Sequence, residues 1–193
     1  MAAAVGGALV AGALVVFVLA GGVSARPEPG RIEATIARTL RHFAIPEAAR
    51  GRENPIRLDD RTLAQGLAHF ADHCASCHGN DGSGATALGR GLYPRAPDMR
   101  LPATQDLSDG ELFFIIEHGV RLTGMPAWGG AGQPEESWKL VHFIRHLEDL
   151  TPDELAHMEQ LNPRSPDEWR ELQEEDEFLQ GGAPPAGGLH EMH

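Results

Sequence analysis

The chain has 193 residues, 41% of them hydrophobic and 6% aromatic, with a formal net charge of −12. That length holds one ordinary domain with appendages. The acid excess excludes nonspecific nucleic-acid binding, which needs Lys and Arg to neutralise phosphates. The charge is uneven: residues 26–150 contain 14 basic and 17 acidic residues, whereas residues 151–180 contain 2 basic and 10 acidic ones.

Residues 2–25 carry no charge, and Val5 to Val23 is almost wholly Ala, Gly, Val, Leu and Phe. A run of that length can cross a bilayer as a helix, so residues 1–25 are expected to be a transmembrane anchor or a signal peptide. Val23-Ser24-Ala25 offers small residues for cleavage before Arg26, but the basic start of a signal is missing. Arg26-Pro27-Glu28-Pro29-Gly30 is a stiff exit. From Arg31 the apolar positions Ile32, Ile36 and Leu40 recur every four residues, predicting a short helix to about Phe43. Pro46 and Asn54-Pro55 interrupt the chain beyond that helix. Residues 26–58 thus read as a linker with one helix, which packs on the next domain or spaces it from the bilayer.

That domain is expected to begin at Asp59-Asp60, either of which can cap a helix with Leu63, Leu67, Phe70, Ala71 and Cys74 on one face. His69 and His73 share this helix and read as solvated side chains rather than ligands. The helix delivers Cys74-Ala75-Ser76-Cys77-His78, which holds the only two cysteines of the chain. Two thiols two residues apart, with histidine directly after the second, read as a c-type haem attachment site. Each thiol adds to one vinyl-derived carbon of the macrocycle, and the imidazole becomes the proximal iron ligand. A thioredoxin-like redox pair needs a βαβ setting. A structural zinc site needs four ligands, so His69 or His73 would have to help. A disulfide across two residues closes a very small loop and stabilises little.

Gly79-Asn80-Asp81-Gly82-Ser83-Gly84 is a turn cluster. It is no phosphate cradle, because no strand precedes it and no Gly-Lys-Ser/Thr comes after it. Gly91 to Met99 is an irregular apolar loop expected to cover one haem face and to offer a backbone carbonyl to the ligating imidazole. Ser108-Asp109-Gly110-Glu111 is a capping box. It opens a helix in which Leu112, Phe113, Ile115 and Ile116 bury and which Gly119 ends. Thr123-Gly124-Met125-Pro126 then presents Met125 as the candidate distal ligand, a soft thioether that with histidine raises the haem potential. Its place in a turn, away from any helical spacing, argues against a core-filling role. Glu136 to Leu150 forms a further helix, with Trp138, Val141, Phe143 or His142, Ile144 and Leu147 as its apolar stripe, expected to pack across the helix of Leu63, Leu67 and Phe70.

Residues 59–150 together resemble the class I monohaem cytochromes c. The resemblance rests on Cys74, Cys77 and His78, on Met125-Pro126, and on the closing helix with Trp138. It also rests on Pro97-Asp98-Met99, where the family has a proline followed two residues later by an apolar residue. It implies an all-α fold, a small helical bundle around one covalent haem c whose first and last helices cross. In that family the loop proline's carbonyl accepts from the proximal histidine, a role that falls to Pro97, with Pro94 as second choice. The resemblance implies redox partner proteins without saying which, and it does not cover residues 1–58 or 151–193.

Beyond it, Thr151-Pro152-Asp153-Glu154 and Ser165-Pro166-Asp167-Glu168 are near-identical helix starts. They predict two short helices, Pro152 to Gln160 and Pro166 to Leu179, in an acidic extension over residues 151–180. Trp169, Leu172 and Phe178 could dock it. Residues 181–193 form a Gly/Pro/Ala-rich tail expected to be flexible, ending in His190, Met192 and His193, whose imidazoles and thioether suit copper.

The leading expectation is an electron carrier with a single Met/His-ligated haem outside the bacterial cytoplasmic membrane. It is anchored on the periplasmic side, or soluble in the periplasm after cleavage near Ala25. The alternatives are the haem subunit of a larger dehydrogenase or copper-handling complex, and a ligand-binding or peroxidatic cytochrome in which Met125 leaves the iron.

Overall fold

A computed structural model describes residues 24–130 and 132–164, with Gly6, Gly7, Gly12, Val16, Arg170, Gln173 and Glu177. The hydrophobic run before Ser24, the helix expected from Pro166 to Leu179 and the tail residues His190, Met192 and His193 otherwise lie outside the described residues. Among the described residues no helix is long and apolar enough to cross a membrane, and no strand is present.

The bundle is built on two crossing helices. Asp59 caps the first, its carboxylate accepting from the Thr62 amide at 2.7 Å, and α3 runs from Asp60 to His69. Two helices precede it, α1 (Arg31–Ala44) and the single turn α2 (Glu47–Arg50). Leu67, Phe70 and Ala71 are buried, as the spacing requires. The partner, α8 (Pro134–His146), buries Trp138, Leu140, Val141, Phe143 and Ile144, and Leu147 continues the stripe in a 3-10 turn. The choice between Phe143 and His142 falls to Phe143, which is 0% exposed. His142 turns aside and bonds the Ile56 carbonyl through Nε2 at 2.7 Å.

The crossing of α3 and α8 is close because Gly66 lies in it. A Cβ there would stand 3.0 Å from the Lys139 carbonyl carbon and 3.1 Å from the Phe143 Cβ. The Phe70 and Phe143 rings meet just beyond, centroids 5.0 Å apart.

Between these helices lie α4 (Ala75–His78), α5 (Ala87–Gly91), α6 (Pro102–Gln105) and α7 (Asp109–His118). The capping box of α7 forms as its sequence dictates: Ser108 Oγ accepts from the Glu111 amide (3.1 Å) and Glu111 Oε2 from the Ser108 amide (2.8 Å). Leu112, Phe113 and Ile116 bury, whereas Ile115, on the flank of that face, is half-buried. Phe113 stacks on Trp138 at 4.1 Å, and the Arg52 guanidinium covers the Phe113 ring at 4.5 Å, a cation–π contact.

Segments on both sides pack onto this bundle. Ile45 is 3% exposed, and the Ser108 hydroxyl donates to the Arg50 carbonyl at 2.7 Å. On the C-terminal side Thr151 and Glu154 form the second capping box and open α9 (Pro152–Leu161), whose Met158 is 0% exposed.

Candidate haem-binding site

The site begins where α3 changes pitch. Phe70–Cys74 form a π turn, and the Ala75 amide reaches back to the Phe70 carbonyl. Such a turn accommodates one extra residue within a helix and occurs often at functional sites. Sequence periodicity does not reveal it, because it leaves the apolar spacing of Leu67, Phe70 and Ala71 intact. It ends on Cys74, and the single helical turn Ala75–His78 brings Cys77 and His78 onto the same piece of backbone.

Both cysteines are free thiols. Burial pushes the Cys74 thiol up to about 12, and the neighbouring Cys77 adds to the effect. A dithiol redox pair requires the opposite, a thiolate held at low pKa, so the environment of Cys74 argues against that chemistry. It suits a sulfur that ends in a neutral thioether. A zinc site finds no support either: among the described residues no three His, Cys, Asp or Glu side chains group to hold a metal ion. His69 sits against Glu136 (3.6 Å) and His73 against Asp72 (3.1 Å).

His78 is only 7% exposed. Burial pushes its pKa down to about 4, with the Pro97 carbonyl acting in the opposite direction. The ring is therefore neutral at pH 7, the form that ligates metals. Its Nδ1 is buried with no partner at hydrogen-bonding geometry, the Pro97 carbonyl being the polar group that acts on the ring. An imidazole that ligates a metal does so through one nitrogen and is oriented through the other, so Nδ1 on the Pro97 side leaves Nε2 as the nitrogen for iron.

The loop that brings Pro97 to His78 is stitched to the attachment turn. The Gly84 amide donates to the His78 carbonyl (2.7 Å), Met99 N to the Gly82 carbonyl (2.8 Å), and Thr86 Oγ1 to the Cys77 carbonyl (3.1 Å). Gly84 has φ +69, and a Cβ there would stand 3.1 Å from the Pro97 carbonyl oxygen. Glycine is needed at that position both for its backbone angle and for the approach of the loop. Met99, the apolar residue two places after the proline, is buried. Pro94 stands three residues earlier in the same loop, and no bond from it to His78 is formed.

Met125 comes from the other side. Gly119 ends α7 with φ +64, and the chain then folds back on that helix: Val120 N donates to the Met125 carbonyl (3.1 Å) and Trp128 N to the Ile116 carbonyl (3.0 Å). Thr123 Oγ1 receives the Met125 amide at 3.1 Å. Met125 is half-buried. Two contacts bring its turn to the rest of the site. The Leu92 side chain presses on Gly124, its Cδ1 2.8 Å from where a Cβ would be. The Trp128 ring meets His73, beside Cys74, edge-on at 5.5 Å.

Two residues with a part in the site escape sequence reasoning. Asn162, with its amide nitrogen turned toward acceptors, donates to the Ala71 carbonyl inside the π turn (3.1 Å) and to Asn80 Oδ1 (2.9 Å). The C-terminal extension is thereby tied to both ends of the attachment segment. Arg145 gathers the loop before α7, with Nη1 on the Gln105 carbonyl (2.6 Å), Nε on Asp109 (3.0 Å) and Nη2 on the Leu107 carbonyl. No local sequence signal marks Asn162 or Arg145, since each acts through carbonyls distant in the chain.

No curated protein matches the chain. Residues 61–144, which hold Cys74, Cys77, His78, Pro97 and Met125, match the family described as cytochrome C oxidase, cbb3-type, subunit III. The match agrees with the crossed helices, with two thiols and a neutral imidazole on one turn, and with the absence of strands among the described residues. This stretch of the chain is a c-type cytochrome domain, an all-α fold of the class I kind that carries one covalent haem.

Proposed function

We propose that the protein is an electron carrier whose single haem is held by thioethers to Cys74 and Cys77, with His78 as proximal and Met125 as distal axial ligand. The observation that carries this reading is His78: buried, neutral at pH 7 and on the same turn as two thiols. The bound haem supplies a one-electron iron couple. The residues around it do the rest. The Pro97 carbonyl is the acceptor placed to orient the His78 ring and set its tautomer. Burial excludes protons from the ring, so ligation competes with no charged form. Met125 presents a soft sulfur that favours the reduced state and raises the potential. Two protein ligands leave no open position for oxygen or peroxide, which favours carrying electrons over catalysis.

The location we propose is the periplasmic face of a bacterial cytoplasmic membrane, with residues 1–25 as anchor. The uncharged run 2–25 supports it, as does the compartment in which bacterial haem is attached to such motifs. A second reading, a haem subunit of a larger oxidoreductase complex, is favoured by the description of the matching family as an oxidase subunit. Co-purification of stoichiometric partner subunits under gentle extraction selects the second reading, and a lone anchored chain the first.

Met125→Ala tests the ligand assignment. Covalent haem is retained, the distal position opens to exogenous ligands, and the reduction potential falls. An unchanged potential would place the distal ligand elsewhere.

A further inference from the structure

Helix α1 is attached to the haem domain by its polar side. Tyr93 donates to Glu33 at 2.6 Å, Arg41 Nη2 reaches the Ala103 carbonyl at 3.4 Å, and His42 Nδ1 lies 3.2 Å from Glu111. Arg50 then bonds both the His42 ring (3.0 Å) and the His42 carbonyl (3.2 Å). At about 100° per residue, Ile32, Ile36, Leu40 and Phe43 fall on one stripe roughly 80° wide, bordered by Glu33 and turned away from Arg41 and His42. They are 79%, 54%, 63% and 75% exposed, and no residue of the helix is buried. A globular protein ordinarily turns such a stripe to its core. Here the arrangement is reversed, and four aligned large apolar side chains form a patch rather than scattered exposure.

Two features identify what covers it. Only the five residues 26–30 separate the helix from the uncharged run 2–25. Fully extended they span at most about 18 Å, and Arg95 grips them, Nη1 on Glu28 (2.8 Å) and Nη2 on the Arg26 carbonyl (3.0 Å). If the run enters a bilayer, the helix starts beside its surface. Charge agrees. Residues 26–52 hold six arginines against three glutamates, in a chain whose net charge is −12. A basic helix with an unpartnered apolar face suits the headgroup and acyl boundary of a membrane that carries anionic lipid.

We propose that Arg31–Ala44 is an interfacial helix lying in the plane of an anionic bilayer, with Ile32, Ile36, Leu40 and Phe43 in the acyl boundary. Through Tyr93–Glu33 and Glu111–His42 it fixes which side of the haem domain faces the membrane. The inference rests on the membrane location proposed above.

The test uses the full-length holoprotein in vesicles of phosphatidylcholine and phosphatidylglycerol. Nitroxide labels are placed at Ile36→Cys or Phe43→Cys, with Glu159→Cys, on exposed α9, as the reference. Collision with oxygen reports lipid, and collision with a water-soluble nickel chelate reports solvent. The oxygen-to-nickel ratio is expected to be several-fold higher at residues 36 and 43 than at 159. If the chain floats with the vesicles while residues 36 and 43 read like 159, the inference fails and the membrane location stands. Labels shielded from both reagents overturn it too, since protein then covers the stripe. If the chain does not float with vesicles, both readings fail. Two label positions guard against one substitution disturbing the helix.

Discussion

Gly66→Ala probes the crossing on which the haem domain is built. The added methyl would stand 3.0 Å from the Lys139 carbonyl carbon and 3.1 Å from the Phe143 Cβ, where ordinary contact begins at 3.4 Å. The Lys139 carbonyl oxygen is nearer still, so relief requires the two helices to part by roughly one ångström, against rigid backbone on one side and a fully buried Phe143 on the other. Overpacking of this kind costs about 1–3 kcal/mol. Contact with a backbone carbonyl puts the cost in the upper part of that range, about 2–3 kcal/mol, and alanine's better helix propensity offsets about 1 kcal/mol, leaving a net loss of about 1–2 kcal/mol. At roughly 4–8 °C per kcal/mol for a domain of this size, that corresponds to a fall in Tm of roughly 4–16 °C. The assay is thermal and urea unfolding of the holoprotein followed by circular dichroism, with haem content checked by absorbance. Gly51→Ala is the control, because at φ −80 its nearest neighbour for a Cβ is the Glu47 carbonyl at 3.7 Å. If Gly66→Ala were as stable as the parent, the two helices would not cross at the closeness described.

Further consequences are open to measurement. Met158→Ala removes a fully buried side chain from α9. It should lower the unfolding free energy by about 2–5 kcal/mol, showing in urea titration that the extension is part of the cooperative unit; a change below about 0.5 kcal/mol would contradict that. Cys77→Ala should sharply reduce the yield of covalent holoprotein, read by haem staining after denaturing electrophoresis, and normal yield would argue against a second thioether. Acid should destabilise the fold through three carboxylates. Hydrogen bonds from Arg100 hold Asp98 below its ordinary value, and those from Lys139 do the same for Glu136. For Glu154, burial works upward but is outweighed by the bonds from Thr151 and His146. A depressed folded-state pKa means that the unfolded chain binds more protons, so stability is full above about pH 4.5 and falls as pH drops through each folded value. Glu154→Gln should make the curve between pH 5 and 3 shallower, and an unchanged slope would refute its part.

Much of the haem domain is legible in the sequence because its signals are local. The caps at Asp59, Ser108 and Thr151 each form as written, since a side-chain oxygen three residues before an amide has one obvious partner. The apolar stripes around Phe70 and Trp138 are legible for the same reason. What escapes is set by approach between distant segments. Gly66 looks like a weak point in a helix until Lys139 arrives opposite it. Asn162 gives no sign that it reaches Ala71 and Asn80. At the site, the attachment motif reads directly, while the state of its groups needs the fold: the neutrality of His78 and the raised pKa of Cys74 come from burial. The polar attachment of α1 is a further case, because Ile32, Ile36 and Leu40 predict the helix correctly and say nothing of which way they point.

The π turn at Phe70–Cys74 amounts to one surplus residue in an otherwise regular coil. Were the same five residues wound as an ordinary α-helix, with Phe70 still anchored against Phe143, the surplus residue would no longer be absorbed. Everything after it would then swing by about 100°, carrying both sulfurs and the imidazole out of alignment with Pro97. The angle at which a porphyrin is mounted in this protein is therefore written in the length of a five-residue segment, in the way a spacer sets the phase of a gear.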